Sequence, residues 1–187
     1  MKTVLLIAAL FGAGDFAFAT NVNVTKNQVE FLAVGKPSAI KIRGQGQSLK
    51  NQLQWSEGKL SGSFHFDLDS LNTGIELRDK HMKEKYLETG KFKIAELQLK
   101  PVDLPKELCT SGAGNQHLPF TGTLKLHGIE KPVKGELDLQ GGKGQGSATA
   151  QFDLNLSDYQ IEIPAYMGIK VADRVENKVV LDWVCAP

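Results

Sequence analysis

From Leu60 to Leu68 the sequence alternates without a break: Leu60, Gly62, Phe64, Phe66 and Leu68 hold one parity, and Ser61, Ser63, His65 and Asp67 the other. Successive side chains of a strand leave opposite faces, so this segment reads as a strand buried on one side and wet on the other. The pattern recurs at Phe120, Gly122, Leu124 and Leu126, at Val133, Gly135, Leu137 and Leu139, and at Phe152, Leu154 and Leu156. A turn at residues 127–132 and the stretch Gly141-Gly142-Lys143-Gly144 separate these runs. Further strands are read at residues 28–34, 39–42, 45–55 (weakly patterned) and 175–184, and at Phe92, Ile94 and Leu97 to Leu99. Pro101 and Pro105 close the last of these, which makes residues 101–116 a loop. Eight or more strands at hairpin spacing, without the strand–helix alternation of a parallel sheet, predict an all-β antiparallel barrel or sandwich. Several candidates are long enough to favour a coiled sheet that closes on itself and leaves no exposed edge.

The period changes after Thr73. Ile75, Leu77, Met82, Tyr86 and Leu87 fall on one side of a helix, and Arg78, Asp79, Lys80, Lys83, Glu84 and Lys85 cover most of the rest. One short helix is therefore predicted near residues 75–88, stopped by Thr89-Gly90.

Met1-Lys2 supplies one positive charge, Thr3 to Gly14 an uncharged apolar run, and Ala17-Phe18-Ala19 a small-residue cleavage site. These are the three parts of a secretory signal peptide. A spanning helix needs about 20 apolar residues, and Asp15 interrupts this run too early. Cleavage after Ala19 is predicted, leaving residues 20–187 as a single exported domain with no transmembrane segment. The formal net charge of +1 gives no electrostatic argument for nucleic acid or for an anionic membrane surface. An oxidising compartment lets the two cysteines, Cys109 and Cys185, form a disulfide. The alternative is two separate thiols. No C-x-x-C pair supports thiol exchange.

Phe64, Phe66, Phe92, Phe120, Leu124, Leu126, Leu137, Leu139, Phe152, Leu154 and Leu156 all point into one space on this reading. Gly62, Gly122 and Gly135 share their phase, where glycine weakens a strand and needs a reason such as curvature or a close approach. An eight-stranded barrel can be filled by side chains or can hold one ligand. Composition leaves both open.

Catalytic chemistry finds no foothold. His65, His81, His117 and His127 make no compact metal-ligand spacing and read as solvated polar residues. Asp67 and Asp69 share a face, but it is the solvent face, whereas paired glycosidase carboxylates flank a cleft. Nucleophile-elbow, Walker and dinucleotide glycine patterns are absent. No catalytic residue, metal site or cofactor is predicted. Between Leu71 and Met82, Arg78 and Asp79 can bond to the backbone of the 71–74 turn and latch the helix across the barrel mouth. Tyr159, Tyr166 and Met167, ahead of the charged cluster Lys170, Asp173, Arg174 and Glu176, can line a rim.

Three stretches together resemble the YceI-like family: Phe66-Asp67-Leu68-Asp69-Ser70-Leu71-Asn72-Thr73-Gly74 with Leu77 to Met82; Phe120 to Gly128 with Val133; and Asp153 to Tyr159 with Pro164, Met167-Gly168 and Val171 to Val175. The resemblance implies an extended lipocalin-like antiparallel β-barrel of about eight strands with one short helix. Its interior would hold a bound isoprenoid or fatty-acyl lipid, and many members are periplasmic. It implies a non-enzymatic protein that binds, transports or sequesters an apolar small-molecule ligand. Phe64, Phe66, Phe120, Leu124, Leu126, Phe152 and Leu154 would form the tunnel wall, with Arg78, Asp79 and His81 near the helix. The other reading is a filled barrel that serves as an interaction or stress-response protein, and a homodimer stays open under either. The sequence departs from the family at residues 31–46, which lack its usual histidine, and in the Cys109 loop.

Overall fold

Alternation of this kind demands partners for every strand, and the chain supplies them mostly from its own neighbours. The structure, a computed structural model, describes residues 20–186 apart from 37–39, 48, 106, 111–113, 167 and 168. The predicted leader, Met167 and the side chain of Tyr166 lie outside the described residues. The strands are β1 (Thr20–Lys36), β2 (Lys41–Gly46), β3 (Leu49–Ser56), β4 (Lys59–Asp67), β5 (Ile94–Asp103), β6 (Gly114–Leu126), β7 (Ile129–Gly142), β8 (Gln145–Asn155), β9 (Ala165–Tyr166) and β10 (Ile169–Cys185). They form one antiparallel sheet in which β10 pairs with β1 along most of its length. That pairing closes the barrel.

β2 and β3 together make one stave. Both run antiparallel to β1 on the same edge and in the same register, Val34 opposite Lys41, Val29 opposite Gly46 and Val22 opposite Leu53. With β2 and β3 counted together and the short β9 folded back on β10, the barrel has eight staves, the number expected. Between the two halves the wall carries no backbone pairing to β1 among the described residues, and two asparagines stitch it instead. Asn51 Nδ2 donates to the Val22 carbonyl at 2.8 Å, and the Val24 N–H donates to Asn51 Oδ1 at 3.3 Å. Asn27 repeats the pattern with the Leu49 carbonyl at 3.2 Å and the Leu49 N–H at 3.1 Å. A side-chain amide carries one donor and one acceptor group, as a peptide does, and so can stand in for a ladder step.

Several sequence expectations shift here. The weak strand at 45–55 is broken, because β2 ends at Gly46 and β3 begins at Leu49. β1 is far longer than residues 28–34, since its outer half is ordered by β10 rather than by its own pattern. Residues 101–116 are only partly loop. β5 runs through Pro101 to Asp103, with Lys100 and Pro101 at a bulge opposite the Leu60–Gly62 step of β4. Proline is tolerated at a bulge because no ladder hydrogen bond is asked of it. Its β6 neighbour has already left, the last β5–β6 pair being Leu99 with Gly122.

The predicted helix is shorter than residues 75–88. An α-helix spans Glu76–His81 (α1), followed by a π-type turn over Met82–Tyr86, and Glu88 then takes a left-handed φ of 44°. Asp69 leaves the strand to enter a 3-10 turn at Leu68–Ser70, capped by Asp67 Oδ1 accepting from the Asp69 N–H at 3.0 Å. The two carboxylates therefore do not share a strand face.

Cys109 and Cys185 form a disulfide with a Cα–Cα distance of 5.6 Å. It ties the loop after β5 to the end of β10, and Leu104 and Leu108 of that loop are buried in the core. Replacing both cysteines by serine is expected to lower unfolding free energy by about 4 to 5 kcal/mol from loop-closure entropy; chemical denaturation of oxidised and mutant protein checks it. Asn51→Ala removes two wall bonds at the seam and should cost about 1–2 kcal/mol, read as a fall in denaturation midpoint at constant m-value.

Candidate functional site

The inward parity of the eight staves does not fill the barrel. A cavity of about 600 Å³ runs inside it, within the ~300–1,000 Å³ usual for small-molecule sites. Its lining includes Phe64, Phe66, Phe120, Leu124, Leu126, Phe152 and Leu154, all seven residues expected on the wall, together with Leu137, Leu139 and Leu156. Phe92 does not join them. It lies before β5 and stacks on His127, ring centroids 4.4 Å apart, while Ile94 turns outward and is exposed. The β5 residues that face inward are Ala95, Leu97 and Leu99, one residue out of phase with both.

Glycine opposite an aromatic ring keeps the lumen open. Gly135 sits between its cross-strand neighbours Phe120 and Phe152, whose rings meet edge to face at 6.1 Å and 85°. A Cβ at Gly135 would stand 2.7 Å from the Phe120 ring and 2.2 Å from the Gln151 carbonyl oxygen. The Phe120 ring thus occupies space against the wall that a side chain at Gly135 would take. Phe31 lies over Gly44 and Phe66 over Gly46 in the same way. Of the three glycines in the buried phase of the pattern, Gly135 thus admits a ring, whereas Gly62 and Gly122 admit the neighbouring strand, where a Cβ would stand 2.0 Å from the Gln52 carbonyl oxygen and 2.7 Å from that of Gln98.

The two ends differ. At the disulfide end the lining residues Val22, Leu53, Leu104, Leu108, Leu139, Leu181 and Trp183 are all buried, so the cavity is blind there. At the helix end Ile40, Ile75 and Leu77 line the cavity yet are 38%, 52% and 58% exposed. That is the mouth. Ile75 and Leu77 were expected on the packed side of a helix, but only Met82, Tyr86 and Leu87 pack down on the Phe66, Leu124, Tyr159 and Ile161 cluster.

Hydrogen-bonding side chains in the lining are few: Thr73, Arg78, His81 and Tyr86 belong to the segment between β4 and β5, and Asn177 and Trp183 to β10. Arg78 Nε donates to Thr73 Oγ1 at 2.7 Å and its Nη2 to the Thr73 carbonyl at 2.9 Å, while Asp79 Oδ1 accepts from the Thr73 N–H at 2.7 Å. Arg78 and Asp79 make the latch that the sequence pattern anticipated. His81 is exposed beside the mouth.

The far end of the segment has a second tie that sequence reasoning missed. His127, expected to be solvated, is only 11% exposed in its side chain and places Nε2 2.9 Å from Glu88 Oε2. Its Nδ1 lies 3.0 Å from the Tyr159 carbonyl. Hydrogen bonds from Lys91 and then His127 hold the Glu88 carboxyl below its ordinary range. The signal available in the sequence was the His127-Gly128 turn, where both residues take positive φ. Tyr159 is buried and not on the rim, and burial, then the Asp158 charge, pushes its phenol up to about 12. Asp173 binds Ser157 and Arg174 binds Asp153, so that charged cluster braces the 3-10 turn at Leu156–Tyr159 and the adjoining end of β8. Among the described residues no group of three or more His, Cys, Asp or Glu could hold a metal.

The YceI-like domain model matches residues 20–183. The chain belongs to the YceI-like family. A UPF0312 protein of Vibrio campbellii is 25% identical over 170 residues, covering 85% of each chain. A polyisoprenoid-binding domain of Saccharophagus degradans, implicated in plant cell wall breakdown, superposes with a TM-score of 0.68 at 17% identity, over 89% of this chain and 98% of that one. BcnA of Burkholderia cenocepacia gives 0.67 at 15% identity, over 83% and 95%. The Campylobacter jejuni YceI protein gives 0.59 at 14% identity, over 78% and 85%. At these identities the shared property is the barrel.

Gly135→Ala places a Cβ against a backbone carbonyl and is expected to cost about 1–3 kcal/mol. Gly90→Ala, where nothing lies within 4 Å of the new Cβ, should be nearly neutral. Thermal unfolding of the two variants side by side checks the contrast.

Proposed function

We propose that this YceI-like protein is a non-catalytic carrier that sequesters a long-chain apolar amphiphile, of polyisoprenoid or fatty-acyl type, inside the barrel. The observation that carries the reading is the cavity: about 600 Å³, lined almost wholly by hydrocarbon, blind at the disulfide end and open beneath the helix. Each buried methylene is worth about 0.8 kcal/mol, so such a tunnel gains affinity from chain length and needs few polar contacts. The wall is Phe64, Phe66, Phe120, Leu124, Leu126, Phe152 and Leu154, with Arg78 and His81 beside the ligand's polar end and Asp79 positioning Arg78. No cofactor, metal or nucleic acid enters this scheme. The shared fold of the Saccharophagus degradans polyisoprenoid-binding domain favours an isoprenoid among the apolar chains.

Export supports the same reading. The leader pattern of residues 1–19 and the disulfide fit a periplasmic protein, where an insoluble chain moving between membranes needs a soluble carrier. A filled barrel acting as an interaction protein is the less economical account, because it leaves the open lumen without a purpose.

Phe66→Glu or Phe152→Glu puts a carboxylate in the wall, where no partner can offset its desolvation. Protein purified from its own host should carry an organic-extractable species visible by native mass spectrometry, and both variants should lose it while retaining the β-sheet circular dichroism signal. Wild-type protein that stays empty after purification from that host, or folded variants that keep the species, would overturn the proposal.

A further inference from the structure

We propose that the open end of the tunnel docks on a bilayer containing anionic headgroups, so that an apolar chain passes between membrane and barrel without crossing water; this rests on the carrier reading above. The mouth is ringed by apolar side chains that the fold leaves uncovered. Ile75 and Leu77 open α1, and Ile40 leads into β2, so the two elements flanking the entrance both present hydrocarbon outward. A contiguous apolar patch with a polar rim marks an interaction surface. The Thr73–Arg78–Asp79 latch fixes the start of α1, so the exposure of Ile75 and Leu77 belongs to a held backbone.

Charge selects the partner. Lys41 and Arg43 follow Ile40 on β2, and Lys80 and Lys83 follow Leu77 on the helical segment; none of the four forms an ion pair among the described residues. Lys85 is bonded to Glu162, and Asp79 is committed to the Thr73 latch. On these two elements the uncommitted acids are Glu76 and Glu84, so on them free cations outnumber free anions. The chain's net charge of +1 conceals this, because net charge says nothing of placement. Basic residues around an apolar face are the pattern that binds anionic membrane surfaces. A second copy of the chain is the poorer occupant, since a two-fold contact centred on the rim would bring the same cations face to face.

The test uses the mature chain and sedimentation with vesicles of phosphatidylcholine alone or of equimolar phosphatidylcholine and phosphatidylglycerol, with a fluorescent polyene fatty acid as tunnel probe. The expected result is association with the mixed vesicles that weakens with salt, and that falls about tenfold or more in Leu77→Asp and severalfold in Lys80→Glu/Lys83→Glu. Transfer of the polyene from vesicle to protein should slow in the same order, while Lys80→Glu/Lys83→Glu retains preloaded polyene as wild type does. Wild-type protein that loads polyene but ignores both vesicles, or variants that bind and exchange as wild type, would overturn the proposal. So would a dimer that Leu77→Asp splits without any vesicle binding. Vesicle binding in protein that takes up no polyene would uphold the docking surface and sink the carrier reading alone.

Discussion

Everything in this molecule depends on the ladder between β1 and β10. A sheet with eight staves and a strong twist has two edges unless the first and last strands meet, and unpaired edge groups invite association with other chains. Here the two longest strands, Thr20–Lys36 and Ile169–Cys185, meet along most of their length. Closure forces one parity of every stave inward, and those positions are almost entirely Phe, Leu, Val, Ala and Gly. The interior is therefore apolar by construction, with no polar group needed to define it.

Closure alone does not leave the barrel hollow. An eight-stranded barrel is narrow enough to be filled by its own side chains. The lumen survives because large rings lie against glycines on the wall, Phe120 over Gly135, Phe31 over Gly44 and Phe66 over Gly46. The ends then divide the labour. The Cys109–Cys185 bridge draws Leu104 and Leu108 into one end and seals it. At the other, Thr73, Arg78 and Asp79 hold the start of the helical segment, and Glu88 with His127 holds its finish. Met82, Tyr86 and Leu87 pack down beside that opening, and the start of α1 leaves Ile75 and Leu77 bare.

Much of this was legible in the residues. Period-two alternation marks strands because it reports which face is buried, and it located β4, β6, β7 and β8 together with all seven wall residues. Arg78 and Asp79 were legible as a latch because a guanidinium donor and a carboxylate acceptor just after a turn can reach back to its backbone groups. The misreadings have one cause: each depended on a neighbour distant in sequence. The outer half of β1 is ordered by β10, the split of β2 from β3 is bridged by Asn27 and Asn51, and Pro101 is tolerated because β6 has turned away. Phe92 leaves the lumen because β5 begins one residue out of the phase its pattern implied, and the His127 turn offers its ring a stacking partner.

What the sequence determined by itself is the class of object: an antiparallel β-sheet, barrel or sandwich, with one apolar face and one short helix, which the family resemblance narrowed to a barrel. That follows from local periodicity, which a single strand carries whether or not its partners are known. What only the tertiary structure decided is that the inside is hollow, which end is blind, and where hydrocarbon meets solvent. Those are properties of the space between strands. They depend on which ring lies over which glycine and on which loop is drawn across an end, and no local pattern encodes them. Charge shows the same division: the sum over the chain is nearly zero, while the fold sets uncommitted lysines and an arginine on the two elements that flank the tunnel mouth.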